Sequence, residues 1–146
     1  MTKARLTLIA CTLVVSAYVS TISAVAQSGT TLATVNVPFT FHIDKQEMPA
    51  GLYRIDHVSS TLFVMSGANR SGTVLTHPTA DAKVPAQGHV VFHRIGGTYF
   101  LGELWSAGDT SGMACFESRA ERQMLQESKQ QVPGLTTLAI NSTPPR

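Results

Sequence analysis

Alternation of apolar and polar positions predicts a β-strand over residues 35–43. A period of two places every apolar side chain of this segment on one face. These apolar residues are Val35, Val37, Phe39, Phe41 and Ile43. Pro38 lies between them and has no N–H to donate, which is typical of an edge or first strand. The segment therefore predicts one edge or first strand with a single apolar face.

Shorter β-rich runs follow, and each is bounded by turn residues. Strands are predicted over residues 52–58, 61–65 and 73–77. The stretches that separate the β-rich runs are polar or contain Gly and Pro, the residues that favour turns. These predicted turns and loops are residues 44–51, 67–72, 78–88 and 106–112.

Residues 89–105 predict a β-hairpin around Gly96-Gly97, because two glycines between β-rich runs favour a two-residue turn. Such a turn pairs Ile95 with Thr98, His93 with Phe100 and Val91 with Gly102. One face then holds Val91, His93, Ile95, Phe100 and Leu104. The other holds Val90, Phe92, Arg94, Tyr99, Leu101, Glu103 and Trp105. Both faces carry large apolar groups, which predicts a central pair covered on both sides.

Residues 118–131 predict a helix near the end of the chain. Ser118-x-x-Glu121 has the form of a capping box, and good helix formers continue to Gln131. The apolar stripe is thin, which predicts a surface helix. Its charged residues are expected on a solvated face: Arg119, Glu121, Arg122, Glu127 and Lys129. Residues 132–146 are expected to be a tail in which 135–140 could add a short strand before the end frays.

The six predicted strands and one late helix indicate an all-β protein, a small antiparallel β-sandwich or barrel with a short C-terminal surface helix. The sequence leaves the choice between sandwich and barrel open. The β-domain is predicted over residues 35–117. The Ser/Thr/Gly-rich residues 27–34 before it are expected to be a flexible leader.

Residues 1–26 have the pattern of a cleavable signal peptide. Lys3 and Arg5 precede an uncharged run, and Ala24-Val25-Ala26 offers a cleavage site before Gln27. A retained membrane anchor is the first alternative, but serine and threonine interrupt the apolar run. Lipidation at Cys11 is the second, but its hydrophobic segment is too short. The pattern predicts a secreted or periplasmic protein with no membrane-spanning segment after cleavage.

Cleavage changes the charge of the chain. Removing Lys3 and Arg5 from the eleven basic residues leaves nine, equal to the nine acidic ones. A neutral surface gives no electrostatic footprint for nucleic acid or anionic lipid. Nucleic-acid binding is therefore not expected.

One of the two cysteines, Cys11, leaves with the signal peptide, so the mature chain keeps only Cys115. Its neighbours in sequence are apolar, and no cation lies closer than Arg119, whereas a thiolate needs positive surroundings. A buried, inert thiol is the leading interpretation. A disulfide-linked dimer and a reactive nucleophile are the alternatives.

The densest polar and aromatic cluster of the hairpin consists of His93, Arg94, Glu103 and Trp105. These residues are candidates for ligand binding, with Arg94 holding an anion and Trp105 stacking on the ligand. Ordinary cross-strand packing is the competing interpretation. His89 and His93 are four residues apart, about 13 Å on a strand, which is too far to share one metal ion. No metal site, cofactor or catalytic residue is predicted.

Three segments together resemble a family of small secreted bacterial proteins, mainly from soil lineages. They are Val35-x-Val-Pro-Phe-x-Phe, Met48-Pro-Ala-Gly-x-Tyr53 and Val91-Phe-His-Arg-Ile-Gly-x-x-Tyr-Phe-Leu101. The similarity spans nearly all of the mature chain. The family has no assigned activity, so the resemblance implies export and a compact domain rather than a chemistry.

These observations favour a non-enzymatic extracytoplasmic β-domain that acts as a structural or interaction module of the cell envelope or periplasm. One alternative is a small-ligand-binding protein with a pocket near the hairpin over 89–105. Another is a hydrolase or thiol enzyme that uses Cys115. The identity of the protein or small-molecule partner is left open.

Overall fold

The alternating segment 35–43 forms two strands rather than one. A computed structural model describes residues 30–81, 83–128 and 133–141, and it places β1 at Thr30–Val37 and β2 at Phe41–Ile43. The chain leaves its first neighbour at Pro38, where a ladder N–H is missing. The predicted single strand is therefore wrong, and β1 begins inside the predicted leader 27–34. The signal peptide with its cleavage site, Cys11, and the last five residues lie outside the described residues.

The remaining strands include two that the sequence did not predict. A short hairpin strand, β3 (Gln46–Met48), lies inside the predicted turn 44–51, after Asp44 adopts a left-handed φ of 53°. Another unpredicted strand, β9 (Ser111–Cys115), follows the loop after the hairpin. The others are β4 (Gly51–Ser59), β5 (Leu62–Ser66), β6 (Ser71–Ala80), β7 (His89–Ile95), β8 (Thr98–Trp105) and β10 (Gly134–Ala139). β10 confirms the short strand expected near 135–140.

The strands form one mixed, mostly antiparallel sheet, which confirms the all-β class. Its main path runs β1-β4-β5-β6-β9-β8-β2-β3, and β7 pairs with both β8 and β10. Only β2 and β8 run parallel among the described strands. Thr34 and Asn141 exchange two backbone hydrogen bonds of 3.0 and 2.9 Å, which bring the chain after β10 against β1. The described part of the sheet is open along the rest of this seam.

Among the described residues, the buried apolar side chains form one core cluster. Phe41 is fully buried, and its ring centroid lies 5.2 Å from those of Tyr53 and Phe92, edge to face in both cases. Phe39, at the break between β1 and β2, stacks on Tyr99 with ring centroids 3.9 Å apart. The core also includes Val35, Val37, Ile43, Met48, Ile55, Phe63, Met65, Val74, Val90, Leu101, Leu104 and Ile140.

The helix α1 spans Arg119–Glu127 and begins as the sequence predicts, although it ends before Gln131. Its N-cap is Ser118, whose hydroxyl oxygen accepts a hydrogen bond of 3.0 Å from the Glu121 N–H. This bond satisfies one of the N–H groups that a first turn leaves without a partner. Most of α1 is exposed, which agrees with a surface helix. Within the described ranges, no helix is long and apolar enough to cross a membrane.

Candidate ligand-binding site

The hairpin of β7 and β8 contains a β-bulge at Gly102. Its turn is as predicted, with φ of 56° at Gly96 and 90° at Gly97. Beyond the turn, however, Phe92 pairs with Leu101 while the preceding Val91 pairs with Glu103. Gly102 is therefore an extra residue on β8, and the predicted pairing of Val91 with Gly102 is wrong. A glycine inside a strand pattern is the sequence signal that indicates such a bulge.

The bulge changes which side chains share a face, because it shifts the alternation of β8 by one residue. Leu104 joins Leu101 in the core. Glu103 now shares a face with His93 and Phe100, and the Trp105 indole lies beside Glu103, to which it is hydrogen-bonded. The structure therefore brings together His93, Glu103 and Trp105, which the predicted register would have separated.

Gly102 also leaves room for the imidazole of His93. A Cβ at this position would lie 2.6 Å from His93 Nε2. We expect Gly102→Ala to lower the free energy of unfolding by about 1 kcal/mol. The His93 ring is hydrogen-bonded to Glu121 and would lose this bond if it turned away from the new methyl group. Urea unfolding measures this, with Gly51→Ala as control, since a Cβ at Gly51 meets nothing within 4 Å. Equal losses in the two variants would contradict the steric explanation.

Glu121 holds the His93 ring from the helix. His93 Nδ1 lies 2.6 Å from Glu121 Oε1, and the Nδ1–H donates to this carboxylate. The hydrogen bond from His93 to Glu121 raises the pKa of His93, burial opposes this rise, and the charges of Glu121, Glu103 and Glu117 support it. Glu121 is only 5% exposed, so its predicted place on a solvated face is wrong. The Glu121 carboxylate, in the first turn of α1, faces the sheet and is hydrogen-bonded to His93.

Glu103 and Trp105 satisfy each other's polar groups. Trp105 Nε1–H donates to Glu103 Oε2 over 2.7 Å, and the indole is largely buried. A Cβ at Gly112 would lie 2.6 Å from the indole ring, so the ring packs directly on that glycine. The His89 ring stacks on the Trp105 indole, with ring centroids 6.1 Å apart and planes 15° apart. The Trp105 indole is therefore held in place by a hydrogen bond and by packing on both neighbours.

Arg94 does not join the other three candidates. It is exposed near the hairpin turn, where Gly96, Gly97, Ser128 and Gly134 surround a shallow depression. Its neighbour His93 points toward α1, because successive side chains alternate along β7. The predicted cluster thus divides into a group of three residues and one separate arginine.

Cys115 carries a protonated thiol. It pairs with Thr76 across β6 and β9 and packs against the core. Burial raises the pKa of Cys115 to about 12, and the charges of Glu121 and Glu103 act in the same direction. A thiol with this pKa does not supply a nucleophilic thiolate at neutral pH.

A cavity opens beside the bulge, at a gap in the sheet. One edge of β8 pairs with β2 at Tyr99 and Phe100 and with β9 from Glu103 onward, which leaves Leu101 and Gly102 between the two partners. The cavity at this point, the sheet-gap cavity, has a volume of about 470 Å³. It is lined by His42, Ile43, Asp44, Thr73, Val74, Leu75, Phe100, Leu101, Cys115, Phe116, Glu117, Ser118 and Glu121.

The charged groups of the sheet-gap cavity come from distant parts of the chain. Asp44 follows β2, and Glu117 and Glu121 lie around the start of α1. Sequence reasoning missed this site, since only the pairing of β2 with β8 brings these segments together. Within the described ranges, no three His, Cys, Asp or Glu side chains are grouped so that they could hold a metal ion.

No family model, curated protein or solved structure matches the chain. The residues that the structure describes form an all-β domain with one short helix and a cavity at a gap in the sheet. The resemblance to small secreted bacterial proteins stays a prediction.

Proposed function

We propose that this chain is a non-enzymatic extracytoplasmic β-domain that binds a small molecule with an apolar body and a positively charged amine. The sheet-gap cavity is the binding site. One observation carries the proposal: a concave site of about 470 Å³ combines an apolar floor with charged groups that, among the described residues, are all acidic. Small-molecule sites typically have this size and this excess of apolar surface.

The floor of the cavity suits an apolar body. Ile43 and Leu101 belong to the core, and Val74 is likewise buried. Two aromatic rings lie near them, Phe100 on β8 and Phe116 after β9. Aromatic faces attract cations as well as apolar groups, so the same surface favours an alkylammonium over a neutral ligand.

The acidic groups favour an amine head. Among the described residues that line this cavity, no lysine or arginine accompanies Asp44, Glu117 and Glu121. Glu121 is bonded to His93, whereas Asp44 and Glu117 are exposed at the entrance. An ammonium group offers three donors, which suits two carboxylates at the mouth of an apolar site.

The extracytoplasmic location and the absence of catalysis have separate support. The location rests on the signal-peptide pattern of residues 1–26. The raised pKa of Cys115 argues against a thiol enzyme. An interaction module is the second candidate, because Leu75 and Phe116 are 62% and 63% exposed at the cavity rim.

Calorimetric titration with one hydrocarbon cage and three head groups tests the proposal. We expect adamantan-1-amine to bind at least about tenfold more tightly than adamantane-1-carboxylate, with adamantan-1-ol between them at this site. Binding of the amine should weaken as salt is added, because the carboxylates at the entrance are exposed.

Substitutions at the cavity entrance test whether its carboxylates bind the amine. We expect Asp44→Asn combined with Glu117→Gln to weaken binding of the amine about tenfold, a loss of about 1.4 kcal/mol. Glu127→Gln is the matched control, since Glu127 is exposed on α1 and does not line the cavity. Equal binding of amine and carboxylate, or an unaffected double variant, would contradict the proposal and leave the interaction module in its place.

A further inference from the structure

A second cavity lies at another part of the core and shares no lining residue with the sheet-gap cavity. Its volume is about 360 Å³, and we call it the core-end cavity. The inward side chains of β1, β4, β5, β8 and β9 contribute to its walls, and the loop after β8 forms its mouth. It is lined by Ala33, Ile55, Phe63, Gly88, Leu104, Trp105, Ser106, Ala107, Ser111, Met113 and Ile140.

We infer that the core-end cavity is a binding site for a small, uncharged, mainly apolar molecule. Protein interiors are close-packed and hold few voids larger than a water molecule. The core-end cavity of about 360 Å³ opens to solvent at its mouth and leaves core side chains without packing neighbours there. Ile55, Phe63 and Leu104 are buried members of the core and also line this space. A molecule that fills it replaces contacts that these side chains otherwise lack.

The chemistry of the lining residues selects the class of ligand. Of the described residues around the core-end cavity, none is charged. A charged ligand entering this site would lose its hydration without gaining a partner, which is strongly unfavourable. The indole N–H of Trp105 is already donated to Glu103 and gives the ligand no anchor. Hydroxyl groups come, among the described lining residues, from Ser106 and Ser111, both exposed at the mouth.

The volume limits the size of the ligand. An engineered apolar cavity of about 150 Å³ remains dry and binds benzene. The core-end cavity is more than twice that volume. It therefore suits an aliphatic cage or a two-ring hydrocarbon skeleton that carries at most one neutral polar group near the serines.

Trp105 makes the test direct, because it is the single tryptophan of the chain. We expect adamantan-1-ol to change the fluorescence of Trp105 saturably and to raise the melting temperature of the purified protein. Adamantane-1-carboxylate should bind at least about tenfold more weakly. The absence of a saturable change with the alcohol, or equal binding of the carboxylate, would overturn the inference.

Blocking variants locate the binding. Met113→Phe fills the cavity from a half-buried position, and Ala107→Phe blocks the mouth from an exposed one, where folding is at less risk. We expect at least tenfold weaker binding of the alcohol in Ala107→Phe. Ala68→Phe, at an exposed position outside the cavity, should bind as the wild type does. Unchanged binding in both blocking variants would overturn the inference.

The two sites can fail independently. The double variant Asp44→Asn and Glu117→Gln alters only the sheet-gap cavity and should retain the Trp105 response to adamantan-1-ol. If that response is lost in the double variant but retained in Ala107→Phe, the alcohol occupies the sheet-gap cavity and the core-end site is overturned. Retention of the alcohol response together with failure of amine binding would overturn the proposed function alone.

Discussion

Replacing Phe41 with alanine will lower the free energy of unfolding by about 4 kcal/mol. The Phe41 side chain is fully buried, and its ring meets Tyr53 and Phe92 edge to face. The loss therefore combines the transfer free energy of a large side chain, the cavity that remains and two aromatic pairs. Phe41 also belongs to the three-residue strand β2, which pairs with β8 at two positions.

Urea unfolding followed by Trp105 fluorescence measures this loss, and two variants control for it. Phe41→Leu keeps most of the volume and should cost about 1.5 kcal/mol. Phe116→Ala removes the same side chain from a position that is 63% exposed, and should change stability by less than about 0.5 kcal/mol. A loss below about 2 kcal/mol in Phe41→Ala would show that β2 is not anchored by its buried ring.

Phe41 also shows why local patterns predicted the class of fold but not the path of the chain. The alternation that marks Val35, Val37 and Ile43 as buried is correct, because the period of a strand depends only on neighbouring residues. The change of partner at Pro38 depends on β8, about sixty residues later in the chain. Hydrophobic periodicity contains no information on that pairing.

The hairpin of β7 and β8 likewise has a turn that the sequence predicts and a register that it does not. Gly96-Gly97 predicted the turn and the first pairs correctly, since turn geometry is a local property. The single extra residue Gly102 then exchanged the faces of Leu104 and Trp105. A one-residue shift reverses every later side chain of a strand, so a register counted from the turn is correct only up to the first bulge.

The grouping of the hairpin side chains was partly predictable for a related reason, whereas the sheet-gap cavity was not. The sequence predicts a cluster of His93, Glu103 and Trp105, because polar and aromatic residues are concentrated in one hairpin. The sequence predicts an exposed Glu121, because charges on a helix with a narrow apolar stripe usually face solvent. Its burial follows from the docking of α1 on β7, a tertiary contact that the capping box alone does not specify.

Replacing Glu121 with glutamine will lower the free energy of unfolding by about 2 kcal/mol near pH 6, and by less near pH 8.5. The glutamine keeps the size of the side chain and removes the charge that binds His93. The hydrogen bond to Glu121 raises the pKa of His93 in the folded protein above its ordinary value of about 6.5. The stability that this rise contributes is fully present below the unfolded pKa and is lost as the pH rises through the folded pKa.

The difference between wild type and Glu121→Gln isolates this pair, because other titrating groups contribute almost equally to both proteins. Urea unfolding of each protein between pH 6 and 8.5 should show a difference that shrinks steadily as the pH rises. Glu127→Gln, on the exposed part of the same helix, should give a small difference that does not change with pH. Titration of His93 by NMR should show a lower pKa in Glu121→Gln. A stability difference that is constant or grows with pH would mean that Glu121 stabilises α1 by packing and capping rather than through the charge of His93.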